Sequence, residues 1–173
     1  VEELSPGTCL RINFNGKEVS QRFWKPNFEE NKKLTYEDSV SIIRDKLINA
    51  VKIRMRSDVP IAFCMSGGVD SNSLISIASK KLGCDVHGFT IVNTDSRYEE
   101  QSIVDRCVNE LGLKHTSVQL SQFEFLKNLS SLIDNHDAPV YTISYYIHWQ
   151  LMRAVSEKGY KVTISGTGAD ELF

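Results

Sequence analysis

The sequence predicts an α/β fold, in which helices cover both faces of a parallel β-sheet. From Pro60 onward, short apolar runs alternate with longer segments of helical periodicity. The first run, residues 61–65, is apolar throughout, which is typical of a strand covered on both faces. Strands that alternate with helices are joined by right-handed crossovers, and these crossovers produce parallel pairing.

Each element of this alternation is predicted from its periodicity and its flanking turns. The predicted strands cover residues 61–65, 86–92, 116–120 and 161–165, and the predicted helices end at residue 82 or cover 99–111, 122–135 and 141–157. Upstream, Thr35 followed at the third position by Asp38 is typical of a helix cap. Apolar residues recur at helical spacing from Val40 to Met55, so we expect this helix to bury one stripe.

The first part of the chain predicts a small antiparallel element. Asn15 and Gly16 lie between two alternating runs, and both residue types tolerate the positive φ of a type I′ hairpin turn. A polar stretch after Pro26 is typical of a linker. We therefore divide the chain into residues 1–33 and a second domain at 34–173.

Composition excludes several classes of partner. The 20 Lys and Arg residues against 22 Asp and Glu residues give a net charge of −2, so we expect no nucleic-acid partner. No apolar run approaches the ~20 residues that span a bilayer, so we expect no membrane association and a cytoplasmic protein. The four cysteines form no CxxC pair, which favours buried free thiols over zinc ligands or disulfides.

Two further groups of side chains carry no predicted chemistry. Four histidines share no metal or triad spacing, so we expect bonded polar or surface roles for His87, His115, His136 and His148. Four aromatic residues at helical spacing are more typical of a core or domain interface than of a base-stacking surface: Tyr141, Tyr145, Tyr146 and Trp149.

The loop Ser66–Ser71 has the composition of a phosphate-binding turn. It follows a predicted strand and opens a helix, where free N–H groups and the helix dipole attract anions. Gly67 and Gly68 leave the backbone open to an anion, and Ser66 and Ser71 can add hydroxyl donors. Asp70 beside an anion requires a cation between them, for which Mg²⁺ is the natural candidate. An ordinary turn, whose aspartate and last serine cap the helix, is the alternative.

The loop resembles the SGGxDS signature of N-type ATP pyrophosphatases, and it matches neither GxxxxGK[ST] nor GxGxxG. Other segments follow in the order found in the asparagine synthetase family, over roughly residues 35–173: Ser57–Pro60, Tyr98–Glu100, Leu111–Gly112 with His115, Asp137–Pro139 and Ser165–Phe173. This resemblance implies the adenine nucleotide alpha hydrolase-like, PP-loop fold. Residues 1–24 resemble the end of that family's glutaminase domain.

The resemblance also implies an activity. Members activate a carboxylate, typically aspartate, as an acyl-adenylate with release of pyrophosphate from ATP, and ammonia then forms the amide. Asp70 and Asp170 match the two carboxylates that hold Mg²⁺. The protein's own N-terminal glutaminase domain is the implied partner and ammonia source, and a homodimer is left open. Two alternatives remain: an amidotransferase for another carboxylate, such as a sugar acid, and an ATP-binding module without chemistry.

The resemblance also assigns residues to the surroundings of the nucleotide. The resemblance implies that Met65, Ser66, Thr90 and Ile91 surround the nucleoside and that Gly166 contributes to the same site. Glu100 matches a family acid near the nucleotide or metal, although an acidic residue at a helix N-terminus has the same appearance.

Thr167 departs from the family, because members have a glutamate between the glycines of an SGEGADE loop. The resemblance implies that this glutamate helps to remove a proton as ammonia attacks. A threonine hydroxyl is not an effective general base near neutral pH. We therefore expect that another group takes the proton, that the acceptor is not aspartate, or that Thr167 reflects neutral drift.

Both ends of the sequence suggest a longer natural protein. Val1 is not the N-terminal cysteine that glutaminases of this type use as nucleophile, so we expect a glutaminase segment upstream. Phe173 follows a loop at a strand's carboxyl end, and the family's phosphate-binding lysine is expected downstream of it.

Overall fold

A computed structural model describes residues 3–27, 29, 33–92, 100–120 and 124–170. The chain divides into two compact units, Val1–Val40 and Ser41–Phe173. The assignment of residues 1–33 to a glutaminase-like domain stays a prediction. Within the described residues, no helix combines the length and apolar composition that crossing a membrane requires.

The first unit contains an antiparallel hairpin of β1, Thr8–Ile12, and β2, Glu18–Arg22. Nearly all of its side chains are exposed, because a two-stranded ribbon buries little surface. Cys9 is exposed on β1, so the expected burial of this thiol is wrong. All four cysteines are free, and Cys64, Cys84 and Cys107 are half-buried.

The hairpin turn differs from the predicted type I′ turn. Gly16 has a φ of 73°, but Asn15 is not among the residues with positive φ. The Asn13 side-chain oxygen instead accepts hydrogen bonds from the backbone N–H groups of Asn15, at 3.1 Å, and Lys17, at 2.8 Å. Because Asn13 forms this local turn, only the glycine has to adopt a left-handed conformation.

Helix α1, Tyr36–Arg54, begins with the predicted cap. The Asp38 backbone N–H donates to Thr35 Oγ1 at 3.1 Å, and the Thr35 backbone N–H donates to Asp38 Oδ2 at 3.3 Å. This reciprocal pair satisfies two N–H groups that the helix itself cannot satisfy. The predicted start of the helix is therefore confirmed.

The second unit contains a four-stranded parallel sheet, as predicted. Its strands are β3, Ile61–Cys64; β4, His87–Val92; β5, Lys114–Gln119; and β6, Val162–Ile164. They are arranged in the order β5–β4–β3–β6. The connecting helices are α2, Val69–Ser76; α3, Gln101–Leu111; α4, Phe125–His136; and α5, Ile143–Glu157.

Element boundaries differ from the prediction by a few residues. β5 begins two positions before the predicted strand, and the predicted helix that ends at residue 82 changes at Ile77–Lys81 into a π-helical turn. β3 ends at Cys64, although the Met65 N–H still donates to the Phe89 carbonyl at 2.8 Å. The predicted first residue of α3, Glu99, lies outside the described residues.

Helices cover both faces of the sheet, which confirms the predicted fold class. On one face, Phe63 packs with Ile75 of α2 and Val104 of α3. On the other face, Ala62 and Phe89 pack with residues of α5, Leu151 and Val155. Adjacent residues of β3 enter opposite clusters because successive strand side chains point to opposite faces.

The strand order places a crevice between β3 and β6. From β3 the chain proceeds outward through β4 to β5, and then it crosses back so that β6 pairs with the other side of β3. In open parallel sheets, the loops after two such strands diverge and leave a ligand-binding crevice at their carboxyl ends. The loops that follow β3 and β6 are therefore the elements that this fold offers for binding.

Candidate functional site

The loops after β3 and β6 contact each other at Gly166. A Cβ atom on Gly166 would lie 2.8 Å from the backbone nitrogen of Ser71 and 3.0 Å from the Cβ atom of Asp70. The second loop can lie this close to the first only because Gly166 has no side chain. The structure thus brings Asp70, Ser71 and Gly166, three of the predicted site residues, into one place.

Hydrogen bonds inside the Ser66–Ser71 loop hold its shape. The Ser66 N–H donates to Ser71 Oγ at 3.2 Å, and the two serine hydroxyls are 3.0 Å apart. The Gly68 N–H donates to Ser66 Oγ at 3.2 Å. The two hydroxyls that the sequence suggested as anion donors therefore brace the loop in this structure.

Helix α2 begins without a side-chain cap. Its N-cap residue is Gly68, with φ −70° and ψ 149°, and no side chain caps the first turn. The alternative in which Asp70 and Ser71 cap the helix is therefore wrong. Uncapped N–H groups at a helix N-terminus attract anions, and Asp70 lies beside them in the same turn.

Glu100 makes a contact with the loop that no motif specified. The Gly67 N–H donates to Glu100 Oε2 at 2.7 Å. A Cβ atom on Gly67 would lie 3.0 Å from the Glu100 Cβ atom and 3.2 Å from its carboxyl carbon. The acidic side chain therefore lies against the glycine, and its carboxylate occupies a loop N–H that could otherwise face a phosphate.

Asn72 is a second contact that the sequence reasoning missed. Its amide nitrogen Nδ2 donates to the carbonyl oxygens of Ser66, at 2.9 Å, and Gly68, at 2.8 Å. The residue lies one position beyond the SGGxDS signature, so the signature does not include it. An amide immediately after a glycine-rich loop is nevertheless a donor of suitable length for loop carbonyls.

The loop after β6 places Thr167 and Asp170 at the surface. Ser165 Oγ donates to Thr167 Oγ1 at 2.8 Å, and the Thr167 N–H donates to Ser165 Oγ at 3.1 Å. Gly168 has a φ of 94°, which allows the loop to turn back between them. The end of the matching family segment, Glu171–Phe173, lies outside the described residues.

The residues predicted to surround the nucleoside differ in burial and in the neighbours that they contact. Met65 is 5% exposed and Thr90 is 4% exposed, so their side chains belong to the interior. Met65 fills the space above Gly88, and Thr90 Oγ1 lies 3.0 Å from His115 Nε2. A contact of Met65 or Thr90 with a nucleoside stays a prediction, for which the backbone groups at these positions are available. Ile91 is half-buried and packs with the α5 face of the sheet.

Two histidines lie between neighbouring strands, as expected of bonded polar residues. The ring nitrogens of His87 lie 3.1 Å from Tyr160 Oη and 2.9 Å from Thr116 Oγ1, and His115 pairs with Thr90. Burial lowers the pKa of both imidazoles below its ordinary value, and for His87 the positive charges of neighbouring groups lower it further. Both side chains are therefore neutral structural links near pH 7.

A separate cavity of about 370 Å³ lies between α4 and α5. It is lined mainly by apolar and aromatic side chains, including Phe125, Leu129, Ile133 and Tyr146. Tyr146 is buried and stacks edge-on against Phe125, as expected of a core aromatic, whereas Tyr141 is 82% exposed. No predicted site residue lines this cavity.

A group of three or more His, Cys, Asp or Glu side chains suited to a metal does not occur in the part of the chain that the structure describes. A buried, protein-only metal cage is therefore not formed by those residues. Mg²⁺ is commonly bound by one or two carboxylates together with substrate phosphates, which is a smaller requirement.

Comparison with known proteins identifies the family. The family model described as asparagine synthase matches residues 42–173. The chain is 29% identical over 174 residues to asparagine synthetase [glutamine-hydrolyzing] 1 of Bacillus subtilis, and this match covers 100% of the chain and 27% of the relative. It is also 29% identical over 192 residues to the amidase chyE of Penicillium rubens, with 100% of the chain and 28% of the relative covered.

A solved structure shares the fold. An NH3-dependent NAD synthetase from Campylobacter jejuni superposes with a TM-score of 0.50 and 17% identity, covering 76% of this chain and 58% of that one. The chain spans less than a third of the length of the curated relatives it matches, 27% and 28% for the two named above. The match of the family model to residues 42–173, which cover well over half of the chain and include the parallel sheet, shows that this chain belongs to the asparagine synthase family.

Proposed function

We propose that the intact protein is an ATP-dependent ligase that forms a C–N bond. In this proposal, a carboxylate attacks the α-phosphorus of ATP and pyrophosphate leaves. Ammonia derived from glutamine then converts the acyl-adenylate to an amide, and AMP leaves. The observation that carries the proposal is the contact of Gly166 with Asp70 and Ser71, because it joins two loops of the family motif at one edge of the sheet. Synthetase names among the relatives support the same reaction class.

The Ser66–Ser71 loop is proposed to hold the pyrophosphate portion of ATP. The uncapped first turn of α2 gives the end of this loop the partial positive charge of a helix N-terminus. The Gly67 N–H already binds one carboxylate, that of Glu100, which supports its ability to bind an anion. Holding the leaving group in this way stabilises charge that develops in the transition state.

Asp70 and Asp170 fit the requirements of a Mg²⁺ site completed by phosphates. Both are hard oxygen donors, Asp70 lies at the contact between the two loops, and Asp170 ends the described part of the second loop. When bound, Mg²⁺ neutralises charge on the pyrophosphate oxygens. The two carboxylates themselves would orient the ion between the loops.

A carboxylate other than aspartate is the second candidate for the acceptor, and Thr167 favours it. The Thr167 hydroxyl oxygen accepts a hydrogen bond from Ser165, and a hydroxyl cannot serve as an effective general base near pH 7. An acceptor whose amidation needs no base at this position, such as a sugar acid, would be consistent with the threonine. The amidase chyE shows that family relatives carry more than one activity name.

The test is exchange of labelled pyrophosphate into ATP by the intact protein, with aspartate, glutamate and a panel of sugar acids supplied separately. Exchange that depends on both Mg²⁺ and one carboxylate is the expected result, and the active carboxylate identifies the acceptor. ATP binding without exchange for any carboxylate would instead indicate a binding module.

A further inference from the structure

The Asn72 side chain, in helix α2, is hydrogen-bonded to the preceding Ser66–Ser71 loop. Its single amide nitrogen donates to two loop carbonyls, Ser66 O at 2.9 Å and Gly68 O at 2.8 Å. These two carbonyls lie on either side of Gly67 along the chain. One side chain therefore restrains two peptide groups of the loop.

The planarity of the peptide bond converts this restraint into the orientation of N–H donors. Each carbonyl and the next residue's N–H belong to one trans peptide group and point in opposite directions. Holding the Ser66 carbonyl toward Asn72 therefore turns the Gly67 N–H away from it, and holding the Gly68 carbonyl does the same for the Val69 N–H. The Gly67 N–H meets the Glu100 carboxylate at 2.7 Å, so it does point toward an anion.

The surroundings of the Asn72 amide determine which of its two atoms, Nδ2 or Oδ1, faces the loop carbonyls. Asn72 Oδ1 is buried and has no hydrogen-bond partner in the described part of the chain. The opposite amide orientation would place this oxygen against two carbonyl oxygens, so the two-donor arrangement is the favourable one. An unpaired buried oxygen lowers stability, and it offsets part of what the two bonds contribute.

We propose that Asn72 is a positioning residue for phosphate binding: it orients the Gly67 and Val69 N–H groups toward the pyrophosphate of ATP. The inference rests on the proposed function and extends it to a residue outside the signature. Without the two Nδ2 donors, the Ser66 carbonyl keeps a 3.4 Å bond from Ser71 Oγ. The Gly68 carbonyl keeps bonds from the same hydroxyl, at 3.2 Å, and from the backbone N–H of residue 72, at 3.3 Å. These bonds are longer than the two Nδ2 bonds, at 2.9 and 2.8 Å, so the peptide groups are held less firmly and the loss is expected in pyrophosphate affinity. Overall stability should change little, because the unpaired oxygen is removed with the two donors.

The experiment measures binding of pyrophosphate, with magnesium chloride, to the intact protein by calorimetry, together with exchange kinetics and thermal unfolding. Asn72→Leu keeps the branched shape and removes both donors, whereas Asn72→Ser retains one short donor. The matched control is Asn135→Leu, since Asn135 Nδ2 also donates to a main-chain carbonyl, Ser131 O at 2.6 Å, but on α4.

We expect Asn72→Leu to weaken pyrophosphate binding and raise the KM for ATP by roughly tenfold, the equivalent of one or two neutral hydrogen bonds. Asn72→Ser should lie between it and the wild type, and the KM for the carboxylate, the melting temperature and the control should stay near wild type. Wild-type pyrophosphate affinity in both variants would overturn the proposal. A parallel loss of carboxylate affinity and melting temperature would also overturn it, by indicating a purely structural role.

The two variants keep the result interpretable if Asn72→Leu does not fold. In that case Asn72→Ser decides: an intermediate affinity supports the proposal and a wild-type affinity rejects it. Absence of exchange in a wild type that still binds pyrophosphate would reject the synthetase, and the binding series would still judge Asn72.

Discussion

The two aspartates proposed to bind Mg²⁺ differ in their surroundings. Asp70 is half-buried in the first turn of α2, and its Cβ atom is near Gly166 in the other loop. Asp170 is exposed at the end of that other loop. Because Mg²⁺ needs only one or two protein carboxylates when phosphates complete its shell, this pair is sufficient in number.

Replacing either carboxylate should abolish magnesium-dependent exchange. Asp70→Asn and Asp170→Asn each remove one charged ligand, which should cost several kcal/mol of barrier, on the order of a thousandfold in rate. The measurement is pyrophosphate exchange by the intact protein across a range of Mg²⁺ concentrations. Asp134→Asn on the exposed side of α4 serves as the control. Near-normal exchange in both site variants would remove the magnesium assignment.

Thr167 provides the residue-level test of acceptor identity. Its hydroxyl is paired with Ser165, and a threonine hydroxyl is not an effective general base near neutral pH. We expect the intact wild type to form asparagine slowly, and Thr167→Glu to raise the rate with aspartate by roughly a hundredfold, the contribution of a positioned general base. Product formation from ATP, glutamine and aspartate measures both rates. Wild-type turnover near one per second or faster would show that Thr167 marks no change of substrate.

At the scale of elements, Glu100 links the start of α3 to the loop between β3 and α2. It occupies the N-cap position of α3, but its side chain does not cap that helix and binds the Gly67 N–H instead. If the loop binds a phosphate of ATP, as proposed, the Glu100 carboxylate lies at or next to the phosphate position. Binding of a polyanion at this loop should displace the Glu100 side chain or place a cation beside it.

This arrangement predicts that Glu100 weakens pyrophosphate binding in the absence of Mg²⁺. Glu100→Gln keeps an acceptor for Gly67 and removes the negative charge, so pyrophosphate should bind several-fold more tightly in the absence of Mg²⁺, since like charges within a few ångströms repel. Titration calorimetry of the intact protein with pyrophosphate, in chelator and then in magnesium chloride, measures the effect. Glu110→Gln, at the opposite end of α3, is the matched control. Weaker Mg²⁺-free binding in Glu100→Gln would contradict electrostatic competition.

At the scale of the molecule, the parallel sheet was predictable because strand and helix periodicities recur regularly after Pro60. The meeting of the two loops was implied by the family resemblance, which assigns Asp70 and Asp170 to one Mg²⁺ site. The contact of Glu100 with Gly67, across 33 positions of sequence, was not predictable because it depends on where α3 starts relative to the loop. The burial of Met65 was expected of a strand covered on both faces, whereas the space that Gly88 on the neighbouring strand leaves for its side chain was not predictable.

The sheet also carries two neutral histidines that should make its stability depend on pH. Burial lowers the pKa of His87 and of His115 below the unfolded value of about 6.5, so the unfolded chain binds protons more readily than the folded one. The stability that these groups contribute is therefore present above about pH 6.5, and it is lost as the pH falls through their folded pKa values.

Urea unfolding at pH 7.5, 6.5 and 5.5 should show a decreasing free energy of unfolding. His115→Gln should flatten this dependence, because the amide still bonds Thr90 but does not titrate, whereas His148→Gln on the exposed side of α5 should leave it unchanged. Equal slopes in the wild type and His115→Gln would show that the β4–β5 histidine does not control acid stability.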